Sequence, residues 1–247
     1  MIIRKSASEL EKMRTAGRIT AMAREAVVEA VRPGVTTAKL DAIAEDVIRG
    51  EGATPSFKGY RGFPASICAS INEEVVHGIP GGRTLRRGDL FKVDVGAIWE
   101  GFHGDSAVTV FVGAPSDTAE KLVRVTRDSL EAGIGELRPG NRISDVSHAV
   151  QQVVEGAGFS VVREYVGHGV GRDLHEDPHI PNFGPPGRGP EIKPGLVVAV
   201  EPMVNVGGWE TRVLADDWTV VTADGSLSAH FEHTIAVTED GPEVLTI

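Results

Sequence analysis

The sequence predicts one α+β domain spanning residues 1–247, built from two similar halves at roughly 1–120 and 121–247. Three observations predict it. The tetrapeptide "VRPG" at 31–34 returns as "LRPG" at 137–140, and each copy precedes a helix-like segment ending in glycine, Gly50 or Gly156. Each half then places an apolar strand behind a Gly turn, "GDLFKVDVG" from Gly88 and "GLVVAVEPM" from Gly195. A later strand follows in each half, and in the first half it forms a hairpin with its predecessor, which makes that pairing antiparallel.

In chain order, "SASELEKMRTAGRITAMAREAVVEAV" reads as an amphipathic helix opened by Ser8 and Glu11 in capping-box spacing. Leu40, Ile43 and Val47 mark the apolar stripe of the next helix, and Val146, Ala149 and Val153 repeat it in the second half. The strand from Gly88 carries Asp94, and "HGDSAVTVF" carries Asp105. A two-residue turn at Glu100-Gly101 pairs Trp99 with Phe102, sets Asp105 opposite Gly96, and makes Asp94 its diagonal neighbour on the same face. The strand from Gly195 carries Glu201, and "HFEHTIAV" carries Glu232.

Between them lies "GHGVGRDLHEDPH", whose "HEDPH" at 175–179 matches the zinc-protease pattern H-E-x-x-H. That pattern needs a helix to bring both histidines to one face. Pro178 sits inside it, with Pro181, Pro185, Pro186 and Pro190 close behind, so the segment reads as loop and the match as coincidence. The Pro/Gly-rich stretch 181–195 reads as a surface loop.

Composition narrows the function. A formal charge of −10, from 35 acids against 25 bases, argues against a nucleic-acid groove built on positive charge. No apolar run approaches the roughly 20 residues of a membrane span, and the single cysteine, Cys68, rules out an internal disulfide framework. A cytoplasmic location is the expectation. The four acids stand in apolar strands that normally exclude charge. An unpaired buried carboxylate costs several kcal/mol or takes up a proton, whereas a bound cation neutralises it. Oxygen-rich ligation with few imidazoles points to Mn, Fe, Co or Zn in a paired site.

Five motifs in order, "VVHGIP", "VDVGAIWEGFHGDS", "GHGVGRDLHEDPHI", "VEPMV" and "LSAHFEHTIAVTEDG", together resemble type I methionine aminopeptidase over nearly the whole chain. The resemblance implies the pseudo-twofold pita-bread fold of the creatinase/aminopeptidase group, a curved antiparallel sheet backed by helices. It implies two divalent metal ions held by Asp94, Asp105, His168, Glu201 and Glu232, with Asp105 and Glu232 shared by both. It makes His77, His175 and Glu201 catalytic: His175 stabilises the tetrahedral intermediate, His77 lies near the scissile bond, and Glu201 shuttles a proton from a metal-activated water. Phe57, Tyr60, Phe63, Cys68 and Trp218, with His77 and His175, then contact the substrate. Phe57, Arg61 and Leu174 depart from the usual pattern, which has a cysteine, a histidine and an aromatic residue there.

The implied activity is removal of the initiator methionine from nascent polypeptides with a small second residue, by a monomer that meets the ribosome at most transiently. A chain beginning Met1-Ile2 is expected to keep its own methionine. Two rivals remain: a proline-specific peptidase of the same fold, and a noncatalytic binder that has lost its metal.

Overall fold

A computed structural model describes residues 1–247. The first half runs α1 (Ala7–Ala30), α2 (Thr37–Gly50), β1 (Thr54–Pro55), β2 (Ile67–Ile71), β3 (Glu74–Val76), β4 (Leu90–Trp99) and β5 (Phe102–Phe111). The second adds α3 (Asp117–Gly135), α4 (Ile143–Gly156), β6 (Ser160–Val161), β7 (Gly167–Gly169), β8 (Glu176–Ile180), β9 (Val197–Val200) and β10 (Met203–Asn205). It closes with β11 (Thr211–Val213), β12 (Val220–Thr222), β13 (Ser228–His230), β14 (His233–Thr238) and β15 (Gly241–Val244).

The repeat appears as geometry. Helices α2 and α4 are each 14 residues long and end at Gly50 and Gly156. The turn glycines also match: Gly34 and Gly140 have φ of 92° and 94°, and Gly88 and Gly195 have 95° and 86°. That left-handed region is open to glycine without a Cβ clash.

Every strand pairing is antiparallel. One sheet holds β1, β4, β2 and β5, and another runs β15-β14-β9-β7-β8. They meet where β5 lies beside residues 230–234. Ala107 and Glu232 exchange both backbone hydrogen bonds, at 3.3 and 2.9 Å. Thr234 Oγ1 accepts from the Asp105 amide and donates to its carbonyl, and Thr109 Oγ1 does the same with His230.

The helices cover one face of this sheet. Val93 and Val95 of β4 point into a core with Ile19, Val27, Leu40 and Ile48 of α1 and α2. Leu122, Leu130, Val146 and Val150 of α3 and α4 pack on Val198, Val200 and Ile235. Strand alternation then turns Asp94 and Gly96 to the opposite face, away from the helices. Gly104 permits the close approach of α1 to β5, since a Cβ there would lie 2.8 Å from Thr20 Oγ1 and 2.9 Å from the Ala16 backbone.

The structure corrects three expectations. The cap of α1 is Ser6, whose box partner is Glu9, not Ser8 with Glu11. Both pairs have S-x-x-E spacing, and the earlier one wins because the Lys5 amide is pinned to the Gly195 carbonyl at 2.7 Å, fixing where the helix starts. The "HEDPH" segment is not loop throughout: Glu176–Ile180 forms β8, paired only with β7 at the edge of its sheet, where proline is tolerated. Being a strand, it still lacks the helix a zinc-protease site requires. Finally, Glu201 and Glu232 do not lie within strands. β9 stops at Val200 ahead of Pro202, which has no amide to donate, and Glu232 occupies the break between β13 and β14 that pairs with β5.

Candidate metal centre and substrate pocket

Adjacent strands deliver the acids to one spot. The β4–β5 hairpin has the register expected from its turn, Trp99 opposite Phe102 and Gly96 opposite Asp105. His168 comes from the centre of β7, beside β9, while Glu201 and Glu232 enter from the two strand breaks. Together they form the floor of a cavity of ≈ 170 Å³, whose walls are His77, His175, Phe57, Tyr60, Phe63, Cys68 and Trp218. The structure thus brings together every site residue read from the sequence. Arg61 and Leu174, two of the three departures, line the cavity too.

Donor atoms of Asp105, His168 and Glu232 all lie within 4.8 Å of one another. His168 Nε2 stands 3.5 Å from Glu201 Oε1 and 3.9 Å from Asp105 Oδ2. The crowding is electrostatically costly. Burial raises the Asp94 carboxyl to about 7, and burial together with neighbouring carboxylates holds Asp105, Glu201 and Glu232 well above the usual range. Asp94 Oδ1 and Asp105 Oδ1 are buried without any hydrogen-bond partner. Orphaned carboxylate oxygens in an apolar setting have two remedies, a proton or a cation.

His168 is arranged for the second. Burial lowers its pKa to about 3, so the ring is neutral and its approach to the acids is no ion pair. Nδ1 donates to the Gly169 carbonyl at 2.9 Å, which leaves the Nε2 lone pair facing the carboxylates. A backbone carbonyl holding the far nitrogen is the usual support of a metal-ligating histidine. Four carboxylates and one neutral imidazole fit hard or intermediate divalent ions.

The wall beside this floor is apolar. Phe57, Phe63, Cys68 and Leu174 form a buried cluster with Ala65, and Tyr60, Ile79 and Trp218 pack against it. Phe63 meets Trp218 edge-on at 5.0 Å. An aromatic cleft with one sulfur suits an unbranched thioether side chain. At its mouth the Tyr60 hydroxyl lies 2.9 Å from His175 Nδ1, and their rings stack at 5.4 Å. His77 holds the left-handed conformation (φ 61°) with its ring edge-on to Tyr165 and Trp218. A non-glycine residue there carries strain, which clusters at working sites.

Sequence reading missed His230. It is buried, and its unpartnered Nε2 lies 3.8 Å from Glu201 Oε2. It also missed Asn182, whose amide donates to the Glu201 carbonyl at 3.0 Å. Nothing in "LSAHFEH" or "PNFG" sets these residues apart; only the fold places them beside Glu201.

A family model described as metallopeptidase family M24 matches residues 11–239. Methionine aminopeptidase 1 of Bacillus subtilis is 58% identical over 246 residues, covering 100% of this chain and 99% of the relative. Among solved structures, methionine aminopeptidase from Thermotoga maritima superposes with a TM-score of 0.98 at 48% identity, covering 100% of this chain and 99% of the other. Prolidase from Pyrococcus furiosus shares the fold, with a TM-score of 0.82 at 22% identity over 99% of this chain and 65% of its own.

Proposed function

The chain belongs to metallopeptidase family M24, and from that premise we propose that it hydrolyses the bond after an N-terminal methionine when the second residue is small. The observation that carries this reading is the pair of orphaned buried oxygens on Asp94 and Asp105, on the floor of a methionine-sized cleft with an apolar wall. In this reading Asp94, Asp105, His168, Glu201 and Glu232 hold two divalent ions, Mn, Fe, Co or Zn according to supply. Bound there, such ions supply Lewis acidity, lowering the pKa of water toward 7 and polarising a carbonyl.

The remaining work falls to side chains. Phe57, Tyr60, Phe63, Cys68 and Trp218 enclose the methionine, which sets the first peptide bond over the carboxylates. Glu201 takes the proton of the attacking water at its carboxylate and returns it to the departing amine, with the Asn182 side chain holding its backbone carbonyl. Burial and the adjacent Arg61 charge lower the His175 pKa, keeping the ring neutral. With Nδ1 accepting from Tyr60, the Nε2–H of His175 is free to donate to the oxyanion as the carbonyl is attacked. His77, which also lines the cleft, lies near the same bond.

No helix is long and apolar enough to cross a membrane. The acidic surface suits free nascent N-termini in the cytoplasm, met by a monomer with at most brief ribosome contact.

The test is release of methionine from Met-Ala-Ser and Met-Lys-Ser by chelated protein resupplied with Mn, Co, Fe or Zn separately. Cleavage of the Ala peptide alone, and only with metal, is expected. A folded protein that cleaves neither peptide with any metal is instead a binder with a relic site.

A further inference from the structure

Glu176, the glutamate of "HEDPH", takes no part in the metal floor. It is the first residue of β8, and its side chain is buried whereas the flanking His175 and Asp177 are exposed. There it meets Lys5 from the segment ahead of α1. Lys5 Nζ donates to Glu176 Oε2 at 2.6 Å, and both side chains are almost fully buried, 2% and 5% exposed.

The other carboxylate oxygen organises the loop before β8. Glu176 Oε1 accepts from the Arg172 amide at 2.9 Å and the Asp173 amide at 3.4 Å. Gly171 closes over the pair: a Cβ there would sit 2.2 Å from Glu176 Oε1 and 2.6 Å from Lys5 Cε, so any side chain at this position would push the ion pair aside. From its far side the Gly171 carbonyl accepts the His103 amide at 2.9 Å, two residues from Asp105. The loop is therefore clamped between β5 and the N-terminal segment, and its last two residues are Leu174, in the pocket wall, and His175.

We propose that the buried Lys5–Glu176 ion pair is a positioning device for His175, setting the ring's place over the scissile bond from a segment that touches neither substrate nor metal site. This rests on the reading of His175 given above. The carboxylate gathers the backbone amides that fix the loop's path, and the ammonium neutralises the carboxylate so that it can remain buried. A displacement of about 1 Å in a group that must meet the reacting bond can lower turnover by up to about 100-fold. Methionine binding, made by the aromatic wall, depends much less on that displacement.

The experiment compares wild type with Lys5→Met, Lys5→Arg, the double variant K5M/E176Q and a His175→Ala control, all metal-saturated, on Met-Ala-Ser. Lys5→Met keeps the stem and loses the charge. It is expected to lower kcat 10- to 100-fold with KM and metal content within about threefold of wild type, and Lys5→Arg is expected to recover most of the loss. K5M/E176Q strands neither charge, so it tests the idea even if the single variant fails to fold; it too should be at least 10-fold slower. A folded Lys5→Met or double variant with wild-type kcat overturns the proposal. If His175→Ala itself turns over normally, the role given to His175 fails, and the proposal falls with it. An inactive His175→Ala beside a fully active Lys5→Met refutes the ion-pair device alone.

Discussion

Replacing Asp94 by asparagine should stabilise the metal-free protein, and more so as pH rises. In the chelated state Asp94 has one orphaned oxygen and a carboxyl raised from 3.8 to about 7, chiefly by burial. The folded pKa lies above the unfolded one, so between about 4 and 7 the folded state holds the extra proton, and stability falls as pH rises through that window. At 1.36 kcal/mol per tenfold change in proton affinity, burying this carboxyl costs the chelated fold about 2 kcal/mol at pH 5, where it must take up a proton, and about 4 at pH 8, where it is charged. The asparagine side chain carries no charge and escapes this. The variant should thus melt roughly 8–16 °C above chelated wild type at pH 8, with a smaller gap at pH 5.

The comparison must be made as a difference at each pH, because five buried or half-buried histidines act the other way. His77, His103 and His233 are lowered to about 4, and His168 and His230 to about 3. Their stability is lost in both proteins as pH falls below 6.5. Circular-dichroism melts in chelator at pH 5 and 8 give the result. A gap between variant and wild type that shrinks or reverses from pH 5 to pH 8 refutes the view of the floor as uncompensated buried charge.

Further outcomes follow from the same geometry. Tyr60→Phe removes the hydroxyl at His175 Nδ1, so kcat should drop about 10-fold in steady-state assays while KM moves less. Trp218→Ala opens the methionine wall and should raise KM for Met-Ala-Ser at least 10-fold, a change in kcat alone arguing against that placement. Gly104→Ala pushes a methyl into the α1 backbone and should cost about 1–3 kcal/mol in urea melts. Lys92 is buried and donates to the Asn72 and Ser228 carbonyls at 2.8 Å each; Lys92→Met leaves both without that partner and should lose at least about 2 kcal/mol in the same melts.

Legibility in the sequence followed the range of the interactions. The β4–β5 hairpin could be read because turn length fixes register locally, and with it the placement of Asp94 near Asp105. Helices α2 and α4 were legible from periodicity and their terminal glycines. The choice between Ser6 and Ser8 as cap was not, since Lys5 is held by Gly195 from far along the chain. β8 was missed because its partner β7 is also short and irregular, with a register shift at His168 and Gly169. The break at Glu232 arises from its pairing across the seam with Ala107 of β5, and β9 stops before Glu201 because Pro202 has no amide to donate. His230, Asn182 and the Lys5–Glu176 pair owe their places to contacts between segments distant in sequence, which one chain read alone does not reveal.

In the proposed reading Asp94, Asp105, His168, Glu201 and Glu232 hold metal. Anomalous diffraction at the manganese edge from crystals grown with Mn tests it directly. Two peaks within coordination distance of these five side chains, both absent from the Glu232→Gln variant, are predicted. Manganese bound elsewhere, or no peak at this floor in a protein that still cleaves Met-Ala-Ser, contradicts the account.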